Sequence, residues 1–144
     1  MDAQVTLLVD ADNLTAARLA ALMDAAQVLP VDARRLVVAG SAAALERASW
    51  PPDAYVVESR GWQRADAVLA AEYDHTPGPL VIASGDGDFG LLAQRHDGPV
   101  LVVSGAASAA YRTPGIRVID PVREGSQAIR AWLMSALSES GGFG

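Results

Sequence analysis

The sequence predicts an α/β fold in three layers, α/β/α, around a central, mostly parallel β-sheet. Three observations lead there. Short apolar runs alternate with helical patterns along the chain. These runs are apolar throughout, as strands covered on both faces are, rather than alternating with polar residues. The chain has 144 residues with no internal repeat, low-complexity stretch or linker, which favours one domain.

The elements follow in order. Val5 to Val9 (VTLLV) is a buried-strand run. Leu19, Leu22, Met23 and Ala26 then recur at helical spacing, so a helix is expected from about Asn13 to Val28, with Asp12 or Asn13 available to cap it. Leu36 to Ala39 reads as a second strand, and Ala42 to Ala48 as a short helix stopped by Trp50-Pro51-Pro52. Tyr55 to Val57 is a third strand. Asp66 to Tyr73 is a helix that Asp66 is placed to cap. Leu80 to Ala83 and Val100 to Val103 are two more strands, separated by a short helix from about Phe89 to Arg95. Ile116 to Ile119 is a last strand. Ile129, Trp132, Leu133, Ala136 and Leu137 form a helical stripe. The single domain is expected over residues 1–138, with residues 139–144 as a disordered tail. Ser104 to Gly115, the longest irregular stretch, reads as a mobile loop. Trp50 and Trp132 read as packing residues. His75 and His96 lack a partner at ligand spacing and read as surface histidines.

Composition narrows the chemistry. Hydrophobic residues make up 51% of the chain, yet no apolar run approaches the ~18 residues that span a bilayer. Asp2 and the lack of a basic N-terminal segment argue against a secretory signal. There are no cysteines, which excludes thiolate metal sites and disulfides and fits a cytoplasmic protein. The net charge is −6, and all eleven basic residues are arginine. Phosphate contacts need local positive charge, so any nucleic-acid binding must use a local arginine patch. Without lysine, every mechanism that requires a side-chain ammonium group is excluded.

Three acidic segments stand out. Asp10-Ala11-Asp12-Asn13 directly follows the first strand. Asp66 opens the third helix. Ser84-Gly85-Asp86-Gly87-Asp88 directly follows Val81-Ile82-Ala83. Ligands of open parallel sheets bind beyond the carboxyl ends of strands. If the two strands are neighbours, Asp10, Asp86 and Asp88 come side by side. Carboxylates packed together repel, and a hard cation such as Mg²⁺, which takes oxygen ligands, offsets that. Asn13 can orient a ligand without adding charge, and the glycines at 85 and 87 allow a tight turn. Singly, each of these residues is also ordinary cap or turn chemistry; together, with two segments at strand ends, they favour one shared metal site.

VTLLVDADNL, RADAVLAAEY and LVIASGDGDFGLL resemble the three motifs of the NYN domain, a branch of the PIN-like nuclease superfamily. The resemblance spans about Val5 to Val103, and the pairing of strand-D-x-x-N with strand-S-G-D-x-D-F is its specific part. It implies a PIN-like three-layer fold and a Mg²⁺- or Mn²⁺-dependent ribonuclease. Asp10 and Asn13 match the first motif, Asp66 the second, and Asp86 and Asp88 the third. The resemblance thus makes Asp10, Asn13, Asp66, Asp86 and Asp88 catalytic, with the four aspartates as metal ligands. The implied reaction is phosphodiester hydrolysis by a metal-activated water, with Asn13 and Ser84 positioning ligand or water. Glu72 stands where the family often has another acidic residue, but six positions from Asp66 is not one helix face, so it supports the site from behind at most. Arg64 replaces a lysine common in the family and keeps the charge.

Arg60-Gly61-Trp62-Gln63-Arg64 interleaves arginine with an aromatic. A base could stack on Trp62 while Arg60 and Arg64 meet phosphates, which suits single-stranded RNA; a packed Trp62 with solvated arginines is the competing reading. Tyr111 and Arg112 form a weaker version of the pattern. Two alternatives remain. Asp10-Ala11-Asp12 also resembles the nucleophile motif of a haloacid dehalogenase-like phosphatase, though that family usually carries a lysine and this chain has none. The other is a catalytically silent RNA- or protein-binding regulator, or a subunit of an assembly, a homo-oligomer included. No G-x-G-x-x-G follows the first strand, which argues against a dinucleotide enzyme.

Overall fold

The six apolar runs pair into one sheet in which every neighbouring pair is parallel. The strands are β1 (Val5–Asp10), β2 (Arg34–Gly40), β3 (Tyr55–Glu58), β4 (Leu80–Ala83), β5 (Val100–Val103) and β6 (Ile116–Ile119), in the order β3-β2-β1-β4-β5-β6. The helices are α1 (Ala16–Ala26), α2 (Ala42–Leu45), α3 (Ala65–Glu72), α4 (Gly90–Arg95), α5 (Pro121–Glu124) and α6 (Ser126–Gly141). This is a computed structural model; it describes residues 4–60, 64–74, 77–85, 87–107 and 109–141, without the side chains of residues 66, 88, 139 and 140.

The sheet is covered on both faces, as the unbroken apolar runs require. Successive strand residues point to opposite faces. Val5, Leu7 and Val9 join a core with Leu19 and Leu22 of α1, Ala44 of α2, and Ile129 and Leu133 of α6. Leu8 joins a second core with Val68 and Leu69 of α3 and Ala93 of α4. The molecule is therefore a three-layer α/β/α fold. Trp50 and Trp132 pack against the first core, as the sequence suggests.

Element boundaries shift for local reasons. Ala11–Asn13 forms a 3-10 turn, so α1 starts only at Ala16. Its cap is Thr15, whose hydroxyl accepts from the Arg18 amide at 3.2 Å, and not Asp12 or Asn13. Likewise α3 begins at Ala65 with Arg64 in the capping position, so Asp66 is its second residue rather than its cap. β2 starts two residues earlier than expected, because Arg34 and Arg35 carry ion pairs that let a strand begin on charged residues. The helix α5, capped by Asp120 and opened by Pro121, is too short to leave a periodic signal. α6 continues to Gly141, past the expected domain end at 138, and residues 142–144 lie outside the described residues. Among the described residues no helix is long and apolar enough to cross a membrane.

Two readings of single residues are corrected. Tyr111 is fully buried in the second core, within a 3-10 turn (Ala109–Tyr111), so it anchors the 104–115 stretch and offers no stacking face. His96 is not a free surface histidine. Its Nε2 lies 2.5 Å from the Gly78 carbonyl and its Nδ1 2.5 Å from the Tyr73 hydroxyl. A carbonyl only accepts, so Nε2 carries a hydrogen, and in the neutral ring Nδ1 then accepts from Tyr73. His75 lies outside the described residues.

Candidate functional site

The strand order places a switch point between β1 and β4. From β1 the chain moves outward through β2 and β3, then returns to β4 on the other side of β1. Ligands of such sheets bind at the carboxyl ends flanking this point. Val9 pairs with Ala83 in register, so the residues that follow, Asp10 and Ser84, leave the sheet side by side. By strand alternation both fall on the α3/α4 face, with Leu8 and Ile82.

Asp10 is the anomaly of the core. It is 1% exposed, among strand residues whose full burial contributes about 1.5–3 kcal/mol each. A carboxylate there is costly unless it is paired. Its Oδ2 accepts from Asn13 Nδ2 at 2.5 Å and from Ser84 Oγ at 3.1 Å. Its Oδ1 is buried with no hydrogen-bond partner among the described residues. Burial raises the Asp10 carboxyl above its ordinary value of 3.8; hydrogen bonding from Asn13, Ser84 and the Asp12 backbone opposes that rise, and the charge of Asp12 adds to it. An oxygen left without a proton donor in a water-poor position is the kind of ligand a hard cation takes.

The other predicted residues sort by position. Asn13 and Ser84 meet at Asp10. Asp12 is exposed and its Oδ1 accepts from the Ser41 amide at 3.0 Å, which fixes the turn after β2. Arg47 holds the 3-10 turn from behind, donating to the carbonyls of Ala11 and Leu14 at 3.4 and 3.3 Å. Asp86 and residues 61–63, Trp62 included, lie outside the described residues, as do the side chains of Asp66 and Asp88. Their backbones are informative where described. α3 starts beyond the carboxyl end of β3, and its start therefore shares the sheet edge of Asp10; α3 also packs on the Gly87–Phe89 turn, which holds Asp88. Among the described residues no group of three acidic, histidine or cysteine side chains comes together. Glu72 is placed elsewhere: it pairs at 3.3 Å with Arg35, at the amino end of β2, and takes no part in the site. Arg60 is solvent-facing and bonded to Glu58 at 2.6 Å, and Arg64 borders a separate groove with Tyr55 and Val57.

Beside Asp10 opens a cleft of about 440 Å³, lined by Asn13, Thr15, Arg18, Gly85, Ser104, Gly105 and Ala106. Sequence reading passed over Arg18 and Ser104. Arg18 sits in the first turn of α1, and its partner Asp120 is 102 residues away, so no local pattern marks the pair. Ser104 Oγ accepts from the Ala106 amide at 3.1 Å and turns the chain after β5. Gly85 has to be glycine-like here, because a Cβ would lie 2.6 Å from Ser104 Oγ and 2.8 Å from the Ala106 carbonyl oxygen.

No protein-family model, curated protein or solved structure matches the chain at a significant level.

Proposed function

We propose that this protein is a metal-dependent ribonuclease that hydrolyses phosphodiester bonds of single-stranded RNA at the β1/β4 switch point. The observation that carries the reading is the Asp10 carboxylate: buried, with one oxygen that has no partner among the described residues, and standing at the end of β1 beside the start of the third acidic segment. The orphaned oxygen fits a Mg²⁺ or Mn²⁺ ion, held by Asp10 with Asp66, Asp86 and Asp88 as the further ligands that the NYN-like motifs supply. Such an ion, when bound, polarises a phosphoryl oxygen and lowers the pKa of water. Asn13 and Ser84 hold the Asp10 carboxylate through Oδ2 and leave Oδ1 for a ligand. The cleft beside Asp10 gives the RNA backbone a place to lie.

The test is incubation of the purified protein with labelled single-stranded RNA in Mn²⁺, Mg²⁺ or chelator. Cleavage that requires the metal and is lost in Asp10→Asn and Asp86→Asn supports the reading. Absence of cleavage in every metal, by a folded parent, refutes it. Release of phosphate from a small phosphoester through a phosphoenzyme would favour the dehalogenase-like phosphatase instead.

A further inference from the structure

The cleft beside Asp10 contains an arginine with one edge used and one edge open. Arg18 Nε donates to Asp120 Oδ1 at 3.0 Å and Nη2 to Asp120 Oδ2 at 2.9 Å, a side-on fork. Among the described residues Nη1 reaches only Thr15 Oγ1, at 3.5 Å. A guanidinium has five N–H donors. One hydrogen on Nη1 and one on Nη2 therefore have no acceptor among the described residues. Asp120 is itself fixed, because its Oδ1 also accepts from the Val122 amide at 3.0 Å. Gly105 lies flat against the guanidinium: a Cβ there would stand 2.3 Å from Nη2. The Arg18 side chain keeps 22% of its surface exposed, and it lines the cleft together with Asn13, which bonds to Asp10. An arginine whose rotamer is already fixed loses little freedom on binding a planar or tetrahedral oxyanion.

We propose that the open Nη1–Nη2 edge of Arg18 binds the non-bridging oxygens of an RNA backbone phosphate that flanks the one at Asp10, with Asp120 as its positioning residue. The inference rests on the nuclease reading for the identity of the ligand, but it concerns binding and needs no turnover. It also answers the charge problem of an acidic chain. With a net charge of −6, long-range attraction for RNA is absent, and a preset guanidinium inside a cleft supplies the local contact.

The experiment measures binding of fluorescently labelled single-stranded RNA by anisotropy, in chelator, over a range of salt. Three proteins are compared: the parent, Arg18→Gln, and Arg18→Gln combined with Asp120→Asn. The double variant keeps the net charge of the parent and leaves an amide pair in place of the ion pair, so it decides the matter if the single variant fails to fold. Both variants should bind at least about tenfold more weakly, the loss of one charge-assisted contact. For Arg18→Gln the slope of log affinity against log salt should shrink by about 0.7, one phosphate contact on a single strand. Double-variant binding equal to the parent's overturns the proposal, as does a parent that binds no RNA in chelator. Cleavage is scored separately with Mn²⁺. A parent that cleaves, beside a double variant that binds normally, removes the Arg18 role and leaves the nuclease. A parent that binds through Arg18 but never cleaves supports the phosphate contact and removes the nuclease.

Discussion

At the scale of a residue, Asp10 shows how a site and a stability cost coincide. A neutral amide at this position keeps one oxygen for the Asn13 and Ser84 donors and removes the buried charge that both carboxylate oxygens share. The carboxyl's raised pKa means that the folded state disfavours the charged form. That penalty is absent below the ordinary value of 3.8 and grows as pH rises above it. In chelator at neutral pH, Asp10→Asn should therefore melt above the parent, by about 4 °C if the relief is near 1 kcal/mol. The difference should fade as the melt is repeated at pH values falling towards the ordinary carboxylate range. A thermal melt series checks this; a variant that melts lower at every pH would mean the carboxylate is a structural partner after all. The same change should cut RNA cleavage by more than about 100-fold, beyond the range of a residue that only orients a ligand.

At the scale of elements, the two ends of the sheet are built differently. The carboxyl edge holds the candidate site, while the amino edge is fastened by arginine. Arg34 opens β2 with its side chain 6% exposed, forks onto Asp53 at 2.9 and 2.7 Å, and donates to the Ala26 carbonyl at the end of α1. One side chain thus joins α1, β2 and the turn before β3. Removing its partner strands a buried charge, so Asp53→Ala should destabilise by roughly 2–3 kcal/mol in urea or thermal unfolding. Arg34 holds the Asp53 carboxyl below its ordinary value, so this stability is present above pH 3.8 and is lost as pH falls through the lowered value. The gap between parent and variant should close in acid; a gap that stays constant with pH would mean lost packing rather than a lost ion pair. Such long-range fasteners also explain what the sequence could and could not reveal. The strands were legible because burial on both faces forces unbroken apolar runs, whereas the order that makes β1 and β4 neighbours was not. The place of Asp10, Asn13 and Ser84 just after two strands was legible; their hydrogen bonds to one another were not. The Arg18–Asp120 and Arg34–Asp53 pairs were not, since neither partner bears a local pattern. Tyr111 was misread because a buried aromatic in a short 3-10 turn has the same sequence appearance as an exposed one. Asp66 was misassigned as a cap, and neither Asp12 nor Asn13 takes the α1 cap that both could have filled, because a cap depends on where the preceding turn ends, which the sequence leaves open by one or two residues.

At the scale of the whole molecule, the question is whether divalent metal binds at one place or merely collects on an acidic protein. A net charge of −6 would attract cations to any surface, but that attraction is diffuse and screened by salt. A buried carboxylate oxygen without a donor is screened far less, and an ion bound there exists only in the folded state. Such an ion adds RT ln(1 + [L]/Kd) to stability, about 2.7 kcal/mol at a hundredfold excess over Kd. The melting temperature of the parent should therefore rise with Mn²⁺ or Mg²⁺ and keep most of that rise when monovalent salt is increased to physiological strength. In Asp10→Asn the rise should shrink sharply, although that variant starts higher in chelator, so that metal reverses the order of the two proteins. Reversal is the informative outcome, because a general effect of metal on the surface would move both curves together. Equal shifts in parent and variant, or a parental shift abolished by moderate salt, would place the cation on the surface and leave Asp10 as a strand-end residue held by Asn13 and Ser84 alone.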